Sequence, residues 1–234
     1  MERCILCLVL TAFIGAQAAP EVEITAEPHH HLALANNQVR IFNIEIAPHS
    51  ETLMHWHRHD YIYVSLGASE VVNAVKGKDP VTVRLQDGQT GFLPGNFAHV
   101  ARNLSGQPLR SVNIELLQDE KLRSPVHWDR AHPEDDRGLE ILHGGTRETL
   151  FVKDGVRVSE IELEPGAFVP LQHHMGPHLV VALAACELRS DVSGKSKTAI
   201  MLKPGKSRWA DRSYAQTLTN TGHHRAKFVT LEFR

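Results

Sequence analysis

The chain has only three cysteines among its 234 residues, and two of them, Cys4 and Cys7, stand in a segment that reads as a leader. Met1-Glu2-Arg3 is a short, weakly positive start. Cys4 to Ala16 is almost continuously apolar, and Ala16-Gln17-Ala18 puts small residues at the −3 and −1 positions of a cleavage site, the pattern of an export signal over residues 1–18. The apolar run is shorter than the ~20 residues of a transmembrane helix, so the mature chain is expected to carry no membrane span. No lipid-accepting Cys follows it. Cleavage would leave Cys186 as the only thiol, which excludes an intramolecular disulfide even in the periplasm or outside the cell. The secreted chain must then hold by packing alone. An excess of charge of either sign is also lacking: 25 Lys and Arg against 27 Asp and Glu give a net charge of −2, no basis for nucleic acid or an anionic membrane surface as partner. There is no Gly-rich phosphate loop and no G-x-S-x-G elbow, and no segment after the leader reads as a helix of three turns.

What the chain has is histidine, 16 in all, and an internal repeat. Shifted by 117 residues, the sequence matches itself without a gap: Val39-Arg40 falls on Val156-Arg157, Ile44-Glu45 on Ile161-Glu162, Pro48 on Pro165, His57 on His174, Gly88 on Gly205, Asn103 on Asn220 and Glu115 on Glu232. About a quarter of the positions in 39–117 are identical to their partners in 156–234. Each copy reads as strands. VRIFNIEI from Val39 and VRVSEIEL from Val156 alternate apolar and polar residues, the period of a half-buried strand. Tyr61 to Leu66, Val81 to Leu85 and His178 to Leu183 are further short β-rich runs, and Asp87-Gly88 and Pro204-Gly205 mark turns. Many short strands at regular spacing predict an all-β sandwich or barrel in each copy. The charged, Pro- and Gly-containing segment 118–149 reads as the connection between a barrel over 19–117 and another over 150–234.

The histidine spacing resembles that of the cupins, whose domains carry the motifs G-x5-H-x-H-x3-4-E-x6-G and G-x5-P-x-G-x2-H-x3-N. In the first copy His49 stands at the leading Gly, His55 and His57 follow at the motif spacing, Tyr61 takes the Glu position, and Gly67 lies one residue early. Gly88, Pro94, Asn96, His99 and Asn103 follow the second motif, with Asn96 in place of its second Gly. In the second copy Gly166, Gln172, His174, His178 and Ala185 follow the first motif, and Gly205, Asp211, Ser213, Gln216 and Asn220 the second. The resemblance implies two tandem cupin-type jelly-roll β-barrels, a bicupin.

Residues two apart on a strand face the same way, so His55 and His57 can both aim into a barrel, where His99 can join them from a distant strand. Three imidazoles leave coordination positions open. They suit one divalent transition metal, and Fe, Zn, Mn, Ni and Cu are not distinguished by such ligands. Tyr61 departs from the motif carboxylate, and three readings stay open: a three-histidine centre, His59 as fourth ligand, or Tyr61 as a hydrogen-bond donor to bound substrate. In the second copy Gln172 and Gln216 replace two imidazoles, leaving His174 and His178. That half is expected to be metal-free or weakly binding. His29-His30-His31 reads as a solvated extended segment, His223-His224 as a loop, and His127, His132 and His143 as part of a charged connection. Trp56 and Arg58 are assigned to the barrel wall and Cys186 to a buried apolar strand. The resemblance makes a metal-dependent, dioxygenase-like enzyme acting on a small molecule the leading expectation. A non-catalytic binder of metal or small ligand, or a structural duplicate with relic sites, are the alternatives. A homodimer is left open.

Overall fold

A computed structural model describes residues 20–118, 138–153, 155–211 and 214–233. The leader, His127 and His132, and Ser213 lie outside the described residues. The first half comprises β1 (Val22–Glu23), β2 (His30–Ala35), β3 (Val39–Ile46), β4 (His55–His57), β5 (Tyr61–Ser65), β6 (Ser69–Val75), β7 (Val81–Leu85), β8 (Thr90–Leu93), β9 (Phe97–Asn103) and β10 (Leu109–Leu116). The second comprises β11 (Gly138–Lys153), β12 (Val156–His174), β13 (His178–Ala182), β14 (Cys186–Val192), β15 (Thr198–Leu202), β16 (Ser207–Ala210), β17 (Tyr214–Asn220) and β18 (Ala226–Phe233). The only helical element among the described residues is a 3-10 turn, Ile24–Ala26.

The first half folds as two five-stranded sheets, ordered β1-β4-β9-β6-β7 and β2-β3-β10-β5-β8, facing each other as the walls of a jelly roll. In the second half one sheet runs β15-β14-β17-β12-β18-β13-β16, with β11 added to β12. The long, bulged β12 passes from one wall to the other, so it does the work that β3 and β4 divide between them. From β5 onward every strand of the first half has its counterpart 117 positions later, with the same bounds: β5 with β13, β9 with β17, β10 with β18. The connection expected over 118–149 gives way to β11 from Gly138, which pairs along β12 in the register that β2 makes with β3. Little in its sequence marks the strand, because half of its residues are exposed and only Leu142 is buried.

Alternation sorts the side chains into three cores. Phe42, Ile44 and Ile46 point into the first barrel, with Ile24, Val71 and Leu109. Ile161, Leu163, Leu188 and Phe228 point into the second. The opposite faces, Val39, Ile41, Ile62, Val64, Val112, Ile114 and Leu116 of one half and Val156, Val158, Leu179, Val181, Val229, Leu231 and Phe233 of the other, pack into one shared core. The two barrels are therefore joined sheet to sheet. Turns seal the junction reciprocally: a Cβ on Gly88 would stand 3.1 Å from Leu183, and one on its counterpart Gly205 would stand 2.8 Å from Leu66.

The motif positions keep their backbone roles even where the residue has changed. His49, at the leading Gly of the first motif, has φ 58°, and its counterpart Gly166 has φ 80°. Asn96, at the second Gly of the second motif, has φ 64°, a region Asn tolerates better than most side chains. Asn103 and Asn220 are structural brackets: each donates from Nδ2 to carbonyls of the preceding long strand, Ile46 in one half and Leu163 in the other.

Candidate metal centre

His55 and His57 sit on β4 with Trp56 between them facing outward, where the Arg58 guanidinium lies 4.0 Å over its ring. Trp56 and Arg58 thus belong to the outer wall, as expected. His55 pairs directly opposite His99 on β9. The end of β4 is clamped by the turn before β9: Asn96 donates its N–H to the His57 carbonyl at 2.7 Å, and Gly95 donates to Asp60 at 2.7 Å. Gly95 lies so close that a Cβ there would stand 2.4 Å from the His59 carbonyl carbon.

Three Nε2 atoms converge. His55 and His57 are 3.2 Å apart, His55 and His99 3.1 Å, and His57 and His99 3.2 Å. All three rings are buried. The His55 Nδ1–H donates to the Leu53 carbonyl at 2.9 Å, and the His99 Nδ1–H donates to Asn73 Oδ1 at 2.7 Å. A neutral imidazole carries one N–H, so both Nε2 atoms are left as bare acceptors. Their 3.1 Å contact has no proton to share. Burial pushes the His55 imidazole down to about 4, aided by the neighbouring His30, and that of His99 down to about 3, aided by His55 and His30. His57 is pushed down furthest, by burial and then by His99 and His55. The cluster is therefore neutral near pH 7 and rich in lone pairs. The donor set fits a transition-metal cation, since nitrogens spaced this closely can each stand at the ~2.0–2.1 Å of a metal–imidazole bond.

Of the two other candidates, Tyr61 lines the cluster and His59 follows β4 in the chain. His59 stands in the turn beyond β4, where the alternation that aims His55 and His57 inward has ended. Tyr61 is buried and stacked on His57, with centroids 4.4 Å apart and planes at 21°. Phe97 stacks on the same ring at 5.3 Å and 17°. Burial raises the Tyr61 phenol above its usual range, so it stays protonated and serves as a wall of the site.

The residue that approaches instead is His30, read from the sequence as part of a solvated segment. That reading holds for exposed His31 and fails for His30, which is buried at the start of β2. Its ring centroid is 4.6 Å from that of His55 and 6.0 Å from that of His57. One nitrogen from each of His30, His55 and His57 falls within a common 4.8 Å. Two triads thus share the His55–His57 edge, the tighter closed by His99 and the wider by His30. In a triple-His run only the alternation of β2 separates the inward residue from its neighbours, and the run shows no alternation of its own.

The second half has the same architecture with different chemistry. Gln172 pairs opposite Gln216, where the first half has His55 opposite His99. Gln216 donates its amide to His174 Nε2 at 3.1 Å, and His174 donates from Nδ1 to Glu232 at 3.1 Å. His174 has no lone pair left over. Burial alone would raise Glu232, but the His174 hydrogen bond and the Arg157 charge hold it down at about 2. His178 stacks on His174 and receives the Tyr214 hydroxyl at 2.7 Å. Arg147, 117 positions after His30, stands where the first half has that imidazole and donates to Glu140 at 3.0 Å. His143 is exposed on β11, His223 and His224 are exposed in a loop, and Cys186 is buried on β14.

No family model matches the chain, and no curated protein matches it. Solved structures do. An oxalate decarboxylase of Bacillus subtilis, studied for the EPR fine structure of its Mn(II) centres, superposes with a TM-score of 0.62 at 12% identity, over 85% of this chain and 69% of that one. A second oxalate decarboxylase structure, concerned with substrate binding mode and reaction specificity, gives 0.61 at 11% identity over 84% and 69%. The Bacillus subtilis enzyme at pH 4.6 gives 0.61 at 11% over 84% and 68%. The likeness is one of fold: an all-β chain of two tandem cupin-type jelly-roll barrels. Among the described residues no helix is long and apolar enough to cross a membrane.

Proposed function

We propose that this is an exported metalloprotein that binds one divalent transition metal at His55, His57 and His99 and acts on a small molecule there. The observation that carries the proposal is the His55–His99 contact: two acceptor nitrogens 3.1 Å apart, both with their only protons committed elsewhere. A buried contact of that kind is unfavourable unless a cation completes it. The fold also houses metal in the Mn(II)-containing oxalate decarboxylase it resembles.

When bound, the metal would supply Lewis acidity or O2 activation. The chain's residues set which molecule it meets. With Tyr61 at the position where a cupin carries a carboxylate, the ligand set is neutral and the metal's charge is not offset. A small substrate with an anionic oxygen, a carboxylate or an enolate, is favoured on that ground. Tyr61 and Phe97, packed against His57, present an apolar wall that excludes water from one side of the metal and holds the His57 ring in plane. The same tight packing favours a second reading, a non-catalytic binder of metal and ligand.

The test is to load the mature protein with Mn(II) or Fe(II) and titrate it with small carboxylates, oxalate among them, while following O2 uptake and CO2 release. Metal-dependent anion binding with turnover supports the enzyme. Metal-dependent binding without turnover supports the second reading, and anion binding that ignores the metal removes both.

A further inference from the structure

We propose that His30, held in place by the buried carboxylate of Glu27, is a fourth imidazole ligand of this metal. The inference rests on the reading that the His55–His57–His99 cluster holds a metal.

Glu27 is buried at 2% exposure, a costly place for a carboxylate, and the chain surrounds it with donors. It accepts from His30 Nδ1 at 2.6 Å, His29 Nδ1 at 2.9 Å, the His29 N–H at 2.8 Å and the Leu53 N–H at 3.2 Å. The Leu53 carbonyl in turn accepts from His55 Nδ1. One carboxylate therefore fixes His30 directly and His55 through a single residue, Leu53. A carboxylate on the far nitrogen of an imidazole is the arrangement that orients metal-binding histidines and raises their basicity. With His30 Nδ1 committed to Glu27, its Nε2 is the atom left to act, and a nitrogen of this ring lies within 4.8 Å of one each on His55 and His57.

The second half supplies the contrast. There Gly144 and Arg147 occupy the positions of Glu27 and His30, and two of the three histidines are glutamines. The Glu27–His30 pair occurs in the half that has the three-histidine cluster, whereas the other half places its carboxylate–imidazole pair at His174 and Glu232, the counterparts of His57 and Glu115, and has none at the positions of Glu27 and His30. A pair serving only to attach the N-terminal strand would have no reason to follow the histidines. The pair also explains how the site can forgo a carboxylate at position 61: its fourth donor comes from β2 on the facing sheet.

The test uses the full mature chain. X-ray absorption of the Zn(II)-loaded wild type counts imidazoles without any substitution, and four are expected. Chelator competition should show His30→Ala binding Zn(II) more weakly by at least the roughly 10–100-fold typical of losing a ligand's hydrogen-bond partner, and Glu27→Gln weaker by about 10–100-fold. Both variants should still take one metal at saturation. Three imidazoles in the wild-type spectrum, or both variants within about threefold of wild type, would overturn the inference and leave the three-histidine site standing. A wild type that takes up no Zn(II) would fail the site itself. If His30→Ala does not fold, the wild-type imidazole count and Glu27→Gln decide.

Discussion

Leu231→Ala is a substitution in the second half whose effect should reach the first. Leu231 is fully buried on β18, in the core that also contains Val112 and Ile114 of β10. Truncating such a side chain loses the transfer free energy of the removed carbons and leaves a cavity, about 2–5 kcal/mol together. For a chain of this size about 1 kcal/mol moves the melting temperature by roughly 2–4 °C, so a fall of about 4–20 °C is expected. The loss should not stay local. If the sheet faces form one core, the two barrels unfold together, and amide exchange should speed up on β10 as well as on β18. Hydrogen exchange of wild type and variant, resolved by strand, gives the answer. Unchanged protection of β10 beside a destabilised β18, or two separate denaturation transitions in the wild type, would show that the barrels are independent units and the shared core is incidental.

Three further outcomes follow from particular residues. His55, His99 and His178 are held below the usual imidazole range, at about 4, 3 and 4. The unfolded chain binds their protons first, so the stability of metal-free protein should be full above about pH 6.5 and fall as pH drops towards 4; a melting temperature flat from pH 7 to 4 would contradict this. His49 has φ 58° on an exposed turn, so His49→Gly should raise stability by roughly 0.5–1 kcal/mol in urea denaturation, whereas a loss would show that its side chain matters there. The exported protein should begin at Ala19 or close to it by N-terminal sequencing, and a mature chain that starts at Met1 would remove the leader.

The sequence made the barrels legible because two kinds of period coincide in it. The alternation of VRIFNIEI, read again in VRVSEIEL, marks strands with one face inward, and the 117-residue offset carries strand bounds from one half to the other. His55, His57 and His99 were legible from motif spacing and strand parity. The same offset exposed the loss of site chemistry in the second half, since Gln172 and Gln216 fall on His55 and His99. His30 was not legible. Its run of three histidines has no polar–apolar contrast, its strand exposes most of its side chains, and its partner Glu27 lies outside the strand. The offset held one clue, because His30 falls on Arg147 and both are polar residues on strands beside a barrel wall. β11 was hidden for a related reason: a strand with its outer side in water reads as a linker.

Metal content tests the histidine site most directly. Elemental analysis at pH 7.5 of the reconstituted mature protein should find about one divalent transition metal per chain. His57→Ala and His99→Ala should each lose it, because each breaks the tight triad of Nε2 atoms 3.1–3.2 Å apart, which loss of the more distant His30 leaves whole. His174→Ala should keep it, because His174 Nε2 already accepts from Gln216. Metal retained in His57→Ala and lost in His174→Ala would place the site in the other barrel, and a wild type that stays empty after reconstitution would contradict the account at its centre.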